Sequence, residues 1–589
     1  MKDFIKFTLA TITGIVFLSV VGFILGIATL VGIAVSSEKE VLIKPYTILT
    51  LKLDKEITER GSKDPFAMIM GAEYENIGLD EIIDGIEKAK TNDNIMGIYI
   101  EGGNANGIPT AYLEEIRRAL LDFKKSGKFI IAYGDNYLQS EYYLASVADK
   151  VFLNPSGLIA WQGLSAQPIF FKDALDKLGI EMQIFKVGTY KSAVEPYIAT
   201  KMSEANREQV TAYLGSIWDK IVNDIAEERH LSPEALNQMA NEGIIFHEAK
   251  EYLKLGLVDS LLYLDGVKDY LESTSPAKYI NTIDLKEMVN VSNDNAQTLS
   301  SDVVAVYYAE GEIVDEAEGL STSNPLIIGS QVITDLSKLR NDNNVKAVVL
   351  RVSSPGGSAF ASEQIWHELI KLKAIKPVIV SMGSMAASGG YYISCMADSI
   401  FAEATTLTGS IGIFGMFPNI KELVNDKLGI HFDVVKTNKF ADFGNLTREL
   451  SADEKLILQQ YVERGYKLFL KRCAKGRNMS EEEIHNIAEG RVWTGEMALG
   501  IGLIDKIGGL NEAIEAAAQK AGLEEYTILK YPQQDNLFTQ LMNEGKENYI
   551  NSRIKAAVGE YYGYFNFINN LNQMNPVQAR IEFNPNIKW

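Results

Sequence analysis

The stretch Gly383-Ser384-Met385-Ala386-Ala387-Ser388-Gly389-Gly390-Tyr391-Tyr392-Ile393, running on to Ala397-Asp398, decides how this chain of 589 residues is read, because the chain contains it twice. In the first half Gly134-Asp135-Asn136-Tyr137-Leu138-Gln139-Ser140-Glu141-Tyr142-Tyr143-Leu144 runs on to Ala148-Asp149 at a constant offset of 249. The frame is kept while the chemistry changes, since Ser388 faces Gln139. Further along, Phe185-Lys186-Val187-Gly188-Thr189-Tyr190-Lys191 matches Val435-Lys436-Thr437-Asn438-Lys439-Phe440-Ala441 at an offset of 250, and there Lys191 faces Ala441. One copy keeps a serine and the other a lysine, which points to one composite active site shared by two degenerate repeats.

The repeat extends outward from these segments. Asn94-Ile95-Met96-Gly97-Ile98-Tyr99-Ile100 matches Asn344-Val345-Lys346-Ala347-Val348-Val349-Leu350, and Gly256-Leu257-Val258-Asp259 matches Gly502-Leu503-Ile504-Asp505. A period this long is that of duplicated domains rather than of a solenoid unit. Within each copy, β-branched apolar runs alternate with helical patterns: Val345–Val352, Pro377–Ser381 and Ser399–Phe401 read as buried strands, Ser362–Leu372 and Ser388–Ala397 as helices. That alternation predicts an α/β fold, with a parallel sheet covered by helices in each of two tandem domains. The expected divisions are 1–40 as cytoplasmic stub and anchor, 46–272 as the first repeat, 273–301 as a polar linker, and 302–530 as the second repeat. The tail 531–589 lacks the repeat frame and is expected to wrap a neighbour or be partly loose.

Phe7 to Ser37 is a run of 31 uncharged, mostly apolar residues. A bilayer crossing takes about 20 such residues, and a cleavable signal peptide has a shorter apolar core, so a membrane anchor is the expectation. Lys2 and Lys6 precede the run, which predicts a cytoplasmic N-terminus and the remaining domains outside. The net charge of −20 argues against nucleic acid as a partner. Cys395 and Cys473 make no disulfide framework and no metal pattern, and no cofactor is expected.

Ser388 is the candidate nucleophile. Its small neighbours allow close backbone approach, and a helix N-terminus favours developing negative charge; a plain N-cap serine explains the same residues. A serine nucleophile needs a base, and none of His230, His247, His367, His431 and His485 sits in a recognisable catalytic context. Lysine serves when burial keeps it neutral, which makes Lys191 the candidate base. Ser353-Ser354-Pro355-Gly356-Gly357-Ser358 follows a strand and precedes a helix; an oxyanion hole made by the Gly356 and Gly389 N–H groups fits it better than a phosphate cradle does. In Thr408-Gly409-Ser410-Ile411-Gly412, Ser410 is a candidate to orient the lysine, and a tight turn accounts for the glycines equally well.

Together these motifs resemble the signal peptide peptidase A family in its long, duplicated, membrane-anchored form. The resemblance rests on Gly188-Thr189-Tyr190-Lys191-Ser192-Ala193-Val194-Glu195-Pro196, Ser354-Pro355-Gly356-Gly357-Ser358, Ala386-Ala387-Ser388-Gly389-Gly390-Tyr391, Leu407-Thr408-Gly409-Ser410-Ile411-Gly412-Ile413 and Val492-Trp493-Thr494-Gly495, and covers about Tyr46 to Gly522. It implies a Clp protease/crotonase-like fold and a serine–lysine dyad of Ser388 and Lys191. Ser410 would position the lysine, and Gly356 and Gly389 would form the oxyanion hole. It also implies a bowl-shaped homotetramer at the bacterial inner membrane, with its catalytic domains on the extracytoplasmic side, degrading signal-peptide remnants and similar hydrophobic peptides. The competing readings are a crotonase-like acyl-CoA enzyme and a non-catalytic membrane scaffold.

Overall fold

The computed structural model describes residues 41–61, 76–103, 107–291, 300–316, 325–533, 577–581 and 587–588, with scattered helical positions between 6 and 22. The expected anchor, 7–37, lies largely outside the described residues; among those described, no helix is long and apolar enough to cross a membrane.

The sequence duplication is a duplication of fold. In the first repeat the strand order is Asn281–Asp284, Thr47–Lys52, Ile95–Glu101, Phe129–Gly134, Lys150–Leu153, Ser260–Leu261, with every pairing parallel. In the second, Thr527–Tyr531, Val303–Glu310, Val345–Ser354, Val378–Ala387, Ser399–Ala402 and Lys506–Ile507 pair in the same parallel order, and Leu407–Gly409 joins the end of Val378–Ala387 in parallel and carries Val492–Thr494 antiparallel on its other side. Val345–Ser354 and Val378–Ala387 are buried along nearly their whole length, as strands covered on both faces by helices must be. The strands run longer than their apolar cores suggest, because small and polar residues such as Ser353 and Ser384 continue the ladder toward the site.

Two expectations are corrected here. The polar segment 273–301 is not only a linker: Asn281–Asp284 adds to Thr47–Lys52 as the edge strand of the first sheet, and Leu285–Val289 forms a helix capped by Asp284. An edge strand needs one apolar face only, so its polar composition hides it. Nor is the tail wholly apart from the fold, since Val577–Arg580 is an inner strand of a sheet.

That sheet is small and mixed. It runs Leu326–Ile328, Glu312–Val314, Gly356–Ser358, Val577–Arg580, Phe414–Asn419, Glu181–Lys186. Two of its strands are foreign to the second repeat: Val577–Arg580 comes from the tail and Glu181–Lys186 from the first repeat. The latter pairs antiparallel with Phe414–Asn419 over six residue pairs, from Phe414↔Lys186 to Asn419↔Glu181.

A buried polar network ties the repeats together. Arg351, 1% exposed, reaches Glu59 Oε2 at 2.7 Å and Glu115 Oε2 at 2.8 Å from the first repeat and Ser381 Oγ at 2.8 Å from its own. The Tyr112 hydroxyl donates to Glu59 Oε1 at 3.0 Å and lies 3.1 Å from Ser353 Oγ. Glu114 accepts from the Ala404 and Thr405 N–H groups, and Arg118 pairs with Glu403 and Glu512. The helix Thr110–Lys124 thus inserts Glu114, Glu115 and Arg118 into the second repeat, where each finds a partner, while its buried Arg117 is held within the first repeat by Tyr143 O, Ser146 Oγ and Asp224.

Removing one member of such a network leaves the others buried and uncompensated. Arg351→Met is expected to lower the stability of the full-length chain by about 3–5 kcal/mol, read as a large drop in the thermal midpoint. Glu310 adds a pH term. Burial, with Glu59 nearby, raises its carboxyl from 4.5 to about 7, so the folded state holds a proton that the unfolded state releases between these values. Stability contributed by that proton is present below pH 4.5 and is lost as the pH rises through about 7. Glu310→Gln is therefore expected to raise the thermal midpoint at pH 8 relative to the parent and to change it little at pH 4.5; a gain confined to acid pH would contradict this.

Candidate active site

Ser388 stands where Val378–Ala387 turns sharply into the helix Gly389–Ser394. Its backbone has φ 55° and ψ −109°, a conformation that costs energy for a residue with a Cβ. The Ser388 N–H donates to Gly409 O at 2.8 Å and holds the turn. The side chain does not cap the helix behind it; instead Oγ lies 2.8 Å from Lys191 Nζ and 3.3 Å from Gly412 O. The N-cap explanation of this serine is thereby set aside.

Lys191 arrives from the other repeat. The Glu181–Lys186 strand carries the chain along Phe414–Asn419, Val187 N–H then donates to Ile413 O at 3.3 Å, and Tyr190 N–H donates to Glu489 O at 2.9 Å. Gly188, at φ 108°, makes the turn against the Glu489 backbone. Lys191 is 1% exposed, and its Nζ also lies 3.1 Å from Ser410 Oγ and 3.2 Å from Ser410 O. Ser410 is itself at positive φ, 47°, held by its N–H to Arg491 O at 2.7 Å. Ser388, Lys191 and Ser410, read from three separate strings of sequence, are brought into one buried cluster.

Of the two glycines read as oxyanion donors, Gly389 begins the helix beside Ser388, as expected. Gly356 is corrected. Its N–H donates to Ser354 Oγ at 3.1 Å. The ladder between Gly356–Ser358 and the tail strand, with Ile581 N–H on Pro355 O at 2.8 Å, directs the Gly357 N–H outward instead, by the alternation of an antiparallel pair. The outward donor of this loop is therefore Gly357. Both glycines were visible in the sequence; which one faced outward depends on strand parity.

Several supporting residues carried no signal of their own. Gln209, 2% exposed, donates from Nε2 to Tyr190 O at 3.1 Å and to Ser192 Oγ at 2.8 Å, and accepts from Val492 N–H at 3.1 Å. It brackets the lysine loop against the second repeat. Gly490, at φ 82°, packs so closely that a Cβ there would lie 2.7 Å from the Lys191 backbone. Next to the cluster is an apolar pocket of about 100 Å³, whose walls include Pro168, Ile169, Phe170, Tyr213 and Ile581 and which reaches Lys191 and Ser410.

The counterpart positions in the repeats are built differently. Gln139 is buried, and its Oε1 accepts from the Gln162 and Gly163 N–H groups at 3.1 and 3.0 Å. Ala441 sits on the exposed face of a loop. The described residues assemble one Ser/Lys cluster, not two.

In class, the chain is a serine-type peptidase built on two tandem α/β domains. The sequence profile of peptidase family S49 matches residues 122–277 and 370–524, one stretch per repeat, and the chain belongs to that family. It is 35% identical over 526 residues to Protease 4 of Haemophilus influenzae, covering 86% of this chain and 85% of that protein. It is 33% identical to the chloroplastic serine protease SPPA of Arabidopsis thaliana, over 76% of this chain and 66% of that one. A putative signal peptide peptidase SppA of Enterococcus faecium is 34% identical over 38% of this chain and 64% of its own. Among solved structures, a ClpP1 mutant from Listeria monocytogenes overlaps 36% of this chain and 95% of its own at 16% identity, with a TM-score of 0.24.

Because Gly490 supports the lysine by contact alone, Gly490→Ala is expected to lower kcat for peptide hydrolysis at least tenfold with a smaller change in KM, since a base displaced by about an ångström costs mainly the chemical step. Unchanged kcat in the folded variant would show that the Lys191 position tolerates the shift.

Proposed function

We propose that the chain is a membrane-anchored endopeptidase that degrades cleaved signal peptides and similar hydrophobic peptides through a dyad of Ser388 and Lys191. The observation that carries this reading is the 2.8 Å separation of Lys191 Nζ and Ser388 Oγ in a buried site. Lys191, in its neutral form, takes the Ser388 proton as Oγ attacks the peptide carbonyl. The oxyanion that forms is met by the Gly357 and Gly389 N–H groups. Lys191 then gives its proton to the leaving amine, and the acyl-enzyme remains. Water loses a proton to the same amine, attacks the ester and releases the carboxylic acid. Ser410 keeps the amine aimed through both halves. Every group in this scheme belongs to the chain itself.

Substrate choice follows from the apolar pocket beside the dyad, which suits the side chains of an extended hydrophobic peptide. Residues 7–37 would hold the site at the bacterial inner membrane, facing the extracytoplasmic side, where such peptides are left. A homotetramer is part of the reading. What favours association is that His431–Lys436, the counterpart of the paired Glu181–Lys186 strand, is exposed, with Val435 97% exposed; an unpaired counterpart of a strand that elsewhere crosses between domains is suited to pairing with another copy.

The test is hydrolysis of synthetic signal peptides by the detergent-solubilised full-length chain, with cut sites mapped by mass. Ser388→Ala and Lys191→Ala are each expected to lower kcat by about 10⁴ or more while the thermal midpoint stays near that of the parent. Activity should fall as the pH is lowered and the amine takes up a proton. Substantial turnover in either variant, or a rate unchanged down to mildly acid pH, would overturn the dyad.

A further inference from the structure

The loop that carries Lys191 rests on a strained turn. Residues 488–491 follow the helix Glu481–Ile487, and two successive residues in them are left-handed, Glu489 at φ 52° and Gly490 at φ 82°. Glycine takes such a backbone freely, whereas a residue with a Cβ does so at a cost. Glu489 is therefore kept there by what surrounds it.

The position of the base depends on this turn. The Glu489 carbonyl accepts from Tyr190 N–H at 2.9 Å, and Gly490 packs against the Lys191 backbone with no room for a Cβ. Gly490 N–H donates to Ile411 O at 2.9 Å, and Arg491 O accepts from Ser410 N–H at 2.7 Å. One turn thus fixes Lys191 together with the serine that orients it.

The N–H groups of Ala488, Gly490 and Arg491 donate to backbone carbonyls, those of His485, Ile411 and Ala488. The Glu489 N–H, at the strained residue, donates instead to the Tyr466 hydroxyl at 3.3 Å. Tyr466 belongs to the long helix Ala452–Arg477 and is 4% exposed. Its hydroxyl oxygen also lies 3.0 Å from His485 Nδ1. Burial raises this phenol to about 12, so the hydroxyl keeps its hydrogen. A hydroxyl that accepts from Glu489 N–H has that one hydrogen to give, and His485 Nδ1 is placed to accept it. The imidazole then carries its own hydrogen on Nε2, which faces Glu489 Oε1 at 3.8 Å. Side chains from two helices together aim one lone pair at the strained peptide.

We propose that Tyr466, oriented by His485, is a positioning residue for the dyad: its hydroxyl holds Glu489 in the left-handed turn that fixes Lys191. This rests on the dyad reading above. Tyr466 acts through the Glu489 backbone rather than on the reacting atoms. Without the hydroxyl, Glu489 relaxes toward negative φ, its carbonyl turns from Tyr190, and the Lys191 amine drifts from Ser388.

Steady-state hydrolysis of a synthetic signal peptide by the full-length chain tests this, with the parent and Ser388→Ala run beside the variants. Tyr466→Phe keeps the ring and removes the hydroxyl alone. It is expected to lower kcat about tenfold while KM stays within about twofold of the parent. A second arm relieves the strain, because glycine at position 489 takes the left-handed turn without a Cβ to oppose it. In a Glu489→Gly background, Tyr466→Phe is expected to cost less than about threefold in kcat. A kcat for Tyr466→Phe equal to the parent's, while Ser388→Ala is inactive, would overturn the proposal and leave the dyad standing. A loss just as large in the Glu489→Gly background would overturn it as well, since the hydroxyl would then act on the packing of the helices and not on the turn. Ser388→Ala hydrolysing the peptide as fast as the parent would sink the dyad reading itself.

Discussion

The pairing of Glu181–Lys186 with Phe414–Asn419 is the constraint on which the site depends. A lysine ammonium is strongly hydrated, and moving one into a 1%-exposed position opposes folding. It stays there because the strand before it is locked into a six-pair ladder belonging to the other repeat, and Tyr190, the residue just before it, is bonded to the Glu489 carbonyl. The backbone hydrogen bonds and apolar contacts of that ladder, including Phe185 against Phe417, supply the favourable terms. Lys191 is delivered as a consequence of where its strand must go. The Arg351 network does related work at longer range: it holds the two sheets in the single relative placement at which the exchanged strand can reach its partner.

Backbone strain marks two residues of the same cluster. Ser388 and Ser410 both take positive φ without being glycine, and both are held by backbone bonds from neighbouring turns, Ser388 N–H to Gly409 O and Ser410 N–H to Arg491 O. A strained residue persists only where its surroundings over-determine it. Here the strand Leu407–Gly409, paired with the C-terminal end of Val378–Ala387, and Val492–Thr494, paired with it on the other side, do so, since Gly409 and Arg491 supply the two acceptors. The glycines nearby are needed for room: at Gly490 the lysine backbone leaves no space for a Cβ, and at Gly389 the Ser362 hydroxyl and the tail carbonyl do the same.

Much of this was legible before any coordinates. A frame kept over some 250 residues while one hydroxyl and one amine are swapped for glutamine and alanine is a chemical statement, and the spatial cluster of Ser388, Lys191 and Ser410 agrees with it. The periodicity of Val345–Ser354 and Val378–Ala387 gave the parallel sheet because strands buried on both faces have continuous apolar runs. What stayed hidden was set by tertiary pairing. Asn281–Asp284 is polar because it is an edge strand. Gly357 rather than Gly356 faces outward because a partner strand sets the parity of the loop. Gln209 is one amide among many until Tyr190, Ser192, Asn206 and Val492 surround it. Val577–Arg580 has no repeat counterpart to mark it as a strand.

The two repeats show why a site of this kind is divided. After duplication each sheet presented the same strand-to-helix turn, and two complete sites would have needed two buried lysines, each opposed by desolvation. In the first repeat the turn position is Gln139, whose amide oxygen takes the Gln162 and Gly163 N–H groups; in the second, the equivalent relation survives only as Ser388 Oγ near Gly412 O. A glutamine there satisfies the backbone without any charge. The lysine position of the second repeat has become Ala441, on a loop free of any desolvation cost. The serine is retained where a partner strand from the first repeat can bring an amine to it, and the lysine where its strand has a partner to join. Each repeat has kept the half of the chemistry that its own position in the exchanged sheet can support.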